Sequence, residues 1–183
     1  DLLDSVVASM PAADQPEEPP TAVLRFAIVG RPNVGKSALT NAVLGMERSI
    51  VSESPGTTRD ALDTAFEFDG QAAVLIDTAG IRRRGAIQPG VERYSVLRAV
   101  RAIDRSDVSL LLLDAMELVT DQDLHIAGQA RDAFKGVVVV VNKWDLVAEA
   151  TRREARSYRK MVLSRLRFMP HVPVVFTSAL RAE

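Results

Sequence analysis

Apolar residues recur along the chain in two rhythms. V-L-R-F-A-I-V (23–29), V-S-L-L-L-L-D (108–114), V-V-V-V-V-N (137–142) and V-P-V-V-F-T (172–177) are continuous apolar runs. Runs of this kind suit parallel strands covered on both faces. L-D-T-A-F-E-F (62–68) alternates instead, Asp69-Gly70 is a hairpin-turn signal, and Q-A-A-V-L-I-D (71–77) returns. Between the runs the spacing turns helical: from about Lys36 to a cap at Gly45, then over 91–105, 121–134 and 151–167. Strands alternating with helices predict a three-layer α/β fold with a mostly parallel sheet and one antiparallel hairpin.

The start of the chain breaks the rhythm. D-L-L-D-S-V-V-A-S-M-P has helical spacing but stops at Pro11, and A-A-D-Q-P-E-E-P-P-T reads as an extended acidic linker over 12–22. The domain proper is expected over 23–183.

Composition narrows the function classes. With 183 residues, 47% of them hydrophobic, the chain suits one domain with a sizeable core. A net charge of -1 gives no whole-chain case for nucleic acid or membrane. The local distribution says more: Arg is concentrated over 82–105, and Arg and Lys over 151–168. The absence of cysteine excludes disulfides, Cys-ligated zinc and thiol catalysis. No apolar run approaches the ~18 residues that span a bilayer, so a cytoplasmic protein without membrane contact is expected.

G-R-P-N-V-G-K-S (30–37) follows a strand and opens a helix. In that context glycines let the backbone wrap a phosphate chain, with its N–H groups at the positive helix end. Lys36 can neutralise β- and γ-phosphate oxygens, and the Ser37 hydroxyl can ligate Mg²⁺. N-K-W-D (142–145) ends the strand 137–141, where Asp145 can accept from guanine N1–H and the 2-amino group; adenine offers neither donor. T-S-A-L (177–180) ends the next strand, and a backbone N–H there can meet guanine O6. An ordinary turn would explain N-K-W-D alone, but not its place between a phosphate loop and S-A-L.

Together with P-G-T-T-R-D (55–60) and D-T-A-G (77–80), these motifs resemble the translation-factor-like GTPases in order and spacing. The segments D-T-A-G-I-R-R-R-G, V-E-R-Y-S-V-L-R-A-V-R-A-I-D-R-S-D-V and T-D-Q-D-L-H-I-A-G are similar to the second GTPase domain of the Der (EngA) family of bacterial ribosome-assembly GTPases. The resemblance implies a P-loop GTPase fold. It also implies a chain in which 1–11 is the closing helix of a preceding GTPase domain and a KH-like domain would follow residue 183. The partners it implies are GTP and GDP, the large ribosomal subunit with its rRNA, and those two flanking domains. At D-A-M-E-L-V-T (114–120) the family often has a glycine where this chain has Leu118, and only a loop adjustment is expected.

Carried over by matching position, Gly30, Asn33, Val34, Gly35, Lys36, Ser37 and Ala38 form the phosphate loop. Asn142, Lys143, Asp145, Ser178, Ala179 and Leu180 read the base. Ser37, Thr58 (or, less well matched, Thr57) and Asp77 surround Mg²⁺, and the Gly80 N–H contacts the γ-phosphate. Residues 52–61 and 80–92 would be the two switches. Ras-like enzymes orient water with a glutamine after the D-x-x-G glycine; here Ile81 stands there. The expected catalytic set is therefore Asn33, Lys36, Thr58 and Gly80, with Asn33 helping to hold a K⁺. The other reading of Asn33 is a loop-shaping residue whose side chain bonds the backbone.

Arg82, Arg83 and Arg84 read either as a solvated switch or as a nucleotide-dependent contact for rRNA or the KH-like domain. Arg98, Arg101 and Arg105 share a helical face opposite Tyr94, Leu97, Val100 and Ile103, and Arg152, Arg156, Arg159 and Lys160 repeat the style. His125 and His171 read as structural or surface residues, and Trp144 as packing beneath the base-reading loop. The expected function is a GTP-hydrolysing switch in large-subunit assembly. The alternatives are a GDP-occupied regulatory module and the GTPase domain of the tRNA-modifying MnmE family.

Overall fold

Strands made of consecutive valines and leucines must bury both faces, and the sheet does so. The computed structural model describes residues 23–46, 63–68, 70–78 and 92–181. The expected first helix, the linker, and most of both switch segments lie outside them. The strands are β1 (Leu24–Val29), β2 (Thr64–Phe68), β3 (Gln71–Ile76), β4 (Val108–Asp114), β5 (Gly136–Asn142) and β6 (Val174–Phe176). The α-helices are α1 (Lys36–Met46), α2 (Glu92–Arg105), α3 (Asp121–Asp132), α4 (Glu149–Arg153) and α5 (Ala155–Arg165). The sheet order is β2-β3-β1-β4-β5-β6, antiparallel only between β2 and β3. The antiparallel pair of β2 and β3 therefore forms one edge, as its alternation predicts.

Period-two geometry splits each central strand between two cores. Leu111 and Leu113 of β4 face Ala102 and Ile103 of α2, Ile126 and Ala127 of α3, and Tyr158 and Val162 of α5. Leu112 between them joins Val34 and Leu39 on the α1 side. Helices thus cover both faces, and the expected three layers are present.

Five local expectations change. Gly45 lies inside α1, without the positive φ that a capping glycine adopts. α3 ends at Asp132, and Phe134 takes the left-handed turn (φ 54) while the Lys135 N–H reaches back to the Ala130 carbonyl. The single helix expected over 151–167 is two, broken at Glu154 (φ -102, ψ 33). On α2 the buried face runs through Ala102 and Ile103, and Leu97 is 59% exposed. The apolar stripe is thus rotated away from Leu97. β6 is shorter than 172–177: Pro173 has no N–H to donate, although its carbonyl accepts from the Val139 N–H at 2.9 Å.

Candidate nucleotide site

The loop after β1 is held in a shape that few sequences allow. Gly30 has φ +147, and a Cβ there would lie 2.6 Å from the Leu112 carbonyl oxygen. Gly35 has φ +102, and its Cβ would fall 2.1 Å from Asn142 Nδ2. Asn33 is left-handed at φ 64, a conformation asparagine tolerates better than most residues. Among the described residues its side chain makes no hydrogen bond, so the loop-shaping role it shows is carried by its backbone. Val34 anchors the loop in the α1-side core. Lys36 opens α1, and its ammonium curls into the loop to donate to the Gly30 carbonyl at 2.8 Å and to the Arg31 carbonyl. Ser37 is exposed in the first turn, and Ala38 packs against the core behind it.

One buried amide ties this loop to the ends of β5 and β6. Asn142 donates from Nδ2 to the Val34 carbonyl at 2.8 Å and accepts the Ala179 N–H on Oδ1 at 3.0 Å. The Ala179 amide is therefore engaged by Asn142. Lys143 is left-handed (φ 62, ψ 31) and pairs with Asp114 at 2.6 Å. Asp145 sits in a 3-10 turn (Trp144–Leu146), its largely buried carboxylate 3.7 Å from Arg181 Nε. Trp144 packs on Phe176 at 4.3 Å and edge-on to Tyr158 at 4.9 Å, so the base-reading turn rests on an aromatic floor as expected. Tyr158 in turn donates to the Ala115 carbonyl at 2.5 Å. Burial, then the charge of Asp114, pushes its phenol pKa up. Among the described residues the Ser178 Oγ is buried without a hydrogen-bond partner, while Leu180 is exposed.

Asp77 stands at the end of β3, next to the mouth of the phosphate loop because β3 and β1 are parallel neighbours. Its backbone is left-handed (φ 57), and its N–H donates to Asp63 Oδ1 at 3.0 Å. The other oxygen of Asp63 accepts Arg105 of α2. Thr64 and Thr78 join their hydroxyls at 2.7 Å across the hairpin. Ser37 and Asp77 are hard oxygen donors of the type Mg²⁺ takes. Among the described residues no cluster of three or more acidic, His or Cys side chains offers another metal site.

Thr57, Thr58, Gly80, Ile81 and Arg82–Arg84 lie outside the described residues. Sequence reasoning missed Asp63, Arg31 and Asp123, each of which braces a motif. The repeated Asp-Thr pair at 63–64 and 77–78 was an available signal for the first. The basic helical faces are also less free than expected. Arg105 pairs with Asp63, and Arg159 donates to the Val174 carbonyl at 2.9 Å and lies over Phe176. Arg98, Arg101, Arg156 and Lys160 are exposed, as are His125 and His171. No helix among the described residues is long and apolar enough to cross a membrane.

Residues 25–143 match the profile of the family described as 50S ribosome-binding GTPase. Over 183 residues the chain is 53% identical to GTPase Der of Heliobacterium modesticaldum, covering all of this chain and 41% of that protein. Over 181 residues it is 55% identical to GTPase Der of Desulforudis audaxviator, covering 98% and 40% respectively. The chain thus spans about two fifths of the length of the curated relatives it matches. Among solved structures it is similar to Era in complex with MgGDPNP and nucleotides 1506–1542 of 16S ribosomal RNA (TM-score 0.63, 29% identity, 87% of this chain, 52% of that one). Elongation factor SelB of Methanococcus maripaludis shares the fold, with TM-score 0.62 at 19% identity over 86% of this chain and 30% of that one.

Proposed function

The chain belongs to the family of 50S ribosome-binding GTPases, and from that premise we propose that it binds GTP and GDP and hydrolyses GTP as a switch in large-subunit assembly. The observation that carries this reading is the Asn142 amide. It welds the phosphate loop to both loops expected to read the base, so one continuous pocket can grip a nucleotide at both ends.

In this reading Gly30, Asn33, Val34, Gly35, Lys36, Ser37 and Ala38 enclose the phosphates, with the α1 N-terminus aimed at them. Asn142, Lys143, Asp145, Ser178, Ala179 and Leu180 frame guanine, and Asp145 exchanges its contact with Arg181 for the two guanine donors. Ser37 and Asp77, with Thr58, hold Mg²⁺, which supplies charge neutralisation at the phosphates when bound. Lys36 leaves the loop carbonyls for phosphate oxygens, and the Gly80 N–H reads the γ-phosphate. Phosphoryl transfer rests on positioning and charge, so a chain with Ile81 in place of a water-orienting glutamine can use K⁺ held by Asn33. The side chain of Asn33, exposed and without a hydrogen bond among the described residues, supports that role.

Cytoplasmic large ribosomal subunits and their rRNA are the proposed partners of the full-length protein, together with flanking GTPase and KH-like domains. The name of the family and the length of the Der relatives support this. Arg82–Arg84 are proposed to report nucleotide state to those partners.

Single-turnover hydrolysis in KCl and in NaCl at equal ionic strength tests the enzymatic reading. Faster turnover in KCl, lost in Asn33→Ala, is expected. Equal rates in both salts remove the K⁺ role, and no hydrolysis in either leaves the GDP-occupied module as the function.

A further inference from the structure

We propose that Arg31 and Asp123 form a positioning pair that fixes the phosphate loop against α3, so that the phosphate part of nucleotide affinity depends on an ion pair outside the motif set. The inference rests on the nucleotide reading above.

Arg31 is the second residue of the loop, and its carbonyl is one of the two that receive the Lys36 ammonium. Its Nε reaches both carboxylate oxygens of Asp123 at 3.0 Å, and its Nη1 reaches Glu117 at 2.7 Å. Asp123 is fully buried and also caps α3. The same Oδ2 accepts the Thr120 N–H at 3.0 Å and the Thr120 hydroxyl at 2.8 Å. One carboxylate therefore joins the start of a helix to the start of the phosphate loop.

A buried ion pair is a poor source of stability, because desolvating both charges cancels most of their attraction. What it supplies is direction. The Nε–H is shared by both Asp123 oxygens while Nη1 takes Glu117, so two anchors on one planar group fix the orientation of the main chain that carries it. Burial disfavours the charged form of Arg31, yet the bonds and charges of Glu117 and Asp123 outweigh it and raise the pKa. The fork is thus charged at every working pH. A loop that must present its N–H groups to phosphate, with two carbonyls turned toward Lys36, gains more from such a brace than from an apolar contact of equal volume.

The base-reading end has its own support in Asn142 and Trp144, so a loss confined to the phosphate end distinguishes positioning from general loosening. Affinities for GDP and for inosine diphosphate, which lacks the 2-amino group, are measured by calorimetry on the parent, Asp123→Asn, Arg31→Met and Arg31→Lys. Melting temperatures are recorded alongside. Asp123→Asn keeps an oxygen for both Thr120 bonds, so the cap survives while the charge is lost. The expected result is a fall of about tenfold or more for both nucleotides in Asp123→Asn and Arg31→Met, with their ratio unchanged. Arg31→Lys recovers part of the loss, and melting falls in Asp123→Asn and Arg31→Met, each of which leaves the other charge buried without its partner. Affinities within twofold of the parent, or losses that follow melting temperature and alter the ratio, overturn the positioning pair. A parent that binds neither nucleotide overturns the nucleotide reading, and the pair's role with it.

Discussion

The backbone N–H of Asp77 is held by the carboxylate of Asp63 at 3.0 Å, across the hairpin between the two expected switch segments. Asp63 lies two residues after the first segment, and Asp77 three residues before the second. The same carboxylate takes Arg105 from α2, so a single side chain sets the left-handed turn from which the proposed Mg²⁺ ligand projects.

Removing that support should appear as a metal defect. Asp63→Ala is expected to raise the Mg²⁺ concentration needed for tight GTP binding by roughly tenfold, in the range found for residues that orient metal ligands from behind. Asp63→Asn, which keeps an acceptor for the Asp77 N–H, should lose less. Titrating Mg²⁺ against binding of a fluorescent GTP analogue gives the comparison; equal Mg²⁺ requirements in all three proteins would show that Asp77 needs no brace.

Gly35→Ala places a carbon 2.1 Å from Asn142 Nδ2, at a φ of +102 that L residues rarely adopt. Strain of this kind costs on the order of 1–3 kcal/mol, and the displaced amide loses its bond to Val34 as well. Denaturant unfolding should register a loss of that size, and GDP binding should fall below detection. Retention of parental GDP affinity would contradict the geometry.

Leu118 sits at φ 58, in the left-handed region that favours glycine. Leu118→Gly is therefore expected to stabilise the fold by about 0.5–1 kcal/mol, less whatever apolar burial the side chain gives up. Chemical denaturation measures it, and a destabilised variant would mean that the side-chain contacts outweigh the backbone strain.

Tyr158→Phe removes the hydroxyl that bonds the Ala115 carbonyl and should cost about 1 kcal/mol. The pH dependence has a definite sign. A phenol with a raised folded pKa contributes stability that is fully present below its ordinary value of about 10 and is lost as pH rises through the folded pKa. The parent should therefore lose stability above pH ~10 faster than Tyr158→Phe, by thermal unfolding across alkaline pH. Parallel curves would remove Tyr158 from the account.

Periodicity was sufficient for the sheet, because two-sided burial leaves no other use for runs such as V-V-V-V-V. It failed where local main-chain bonding decides. The break at Glu154 carries no Gly or Pro, and the rotation of α2 away from Leu97 is set by where α3 packs. The motifs marked the residues of the proposed nucleotide pocket, and Gly30 and Gly35 stand where close approaches leave no room for a side chain. Their supports were not legible. Arg31 and Asp123 are 92 positions apart, and Asp63 and Arg105 are 42 apart. Each looks in isolation like an ordinary surface charge, and only the fold reveals its partner.

Asn142 has a last consequence that concerns chemical polarity. Its side chain presents a donor to Val34 and an acceptor to Ala179, and the two ends cannot be exchanged. Hydrolysis of that amide to aspartate would keep the shape and reverse one end, setting an oxygen against the Val34 carbonyl. A change of a single atom would then push apart three strand ends at once. The proposed pocket would thus be undone by a one-atom change at a buried side chain, losing its grip on phosphate and base together.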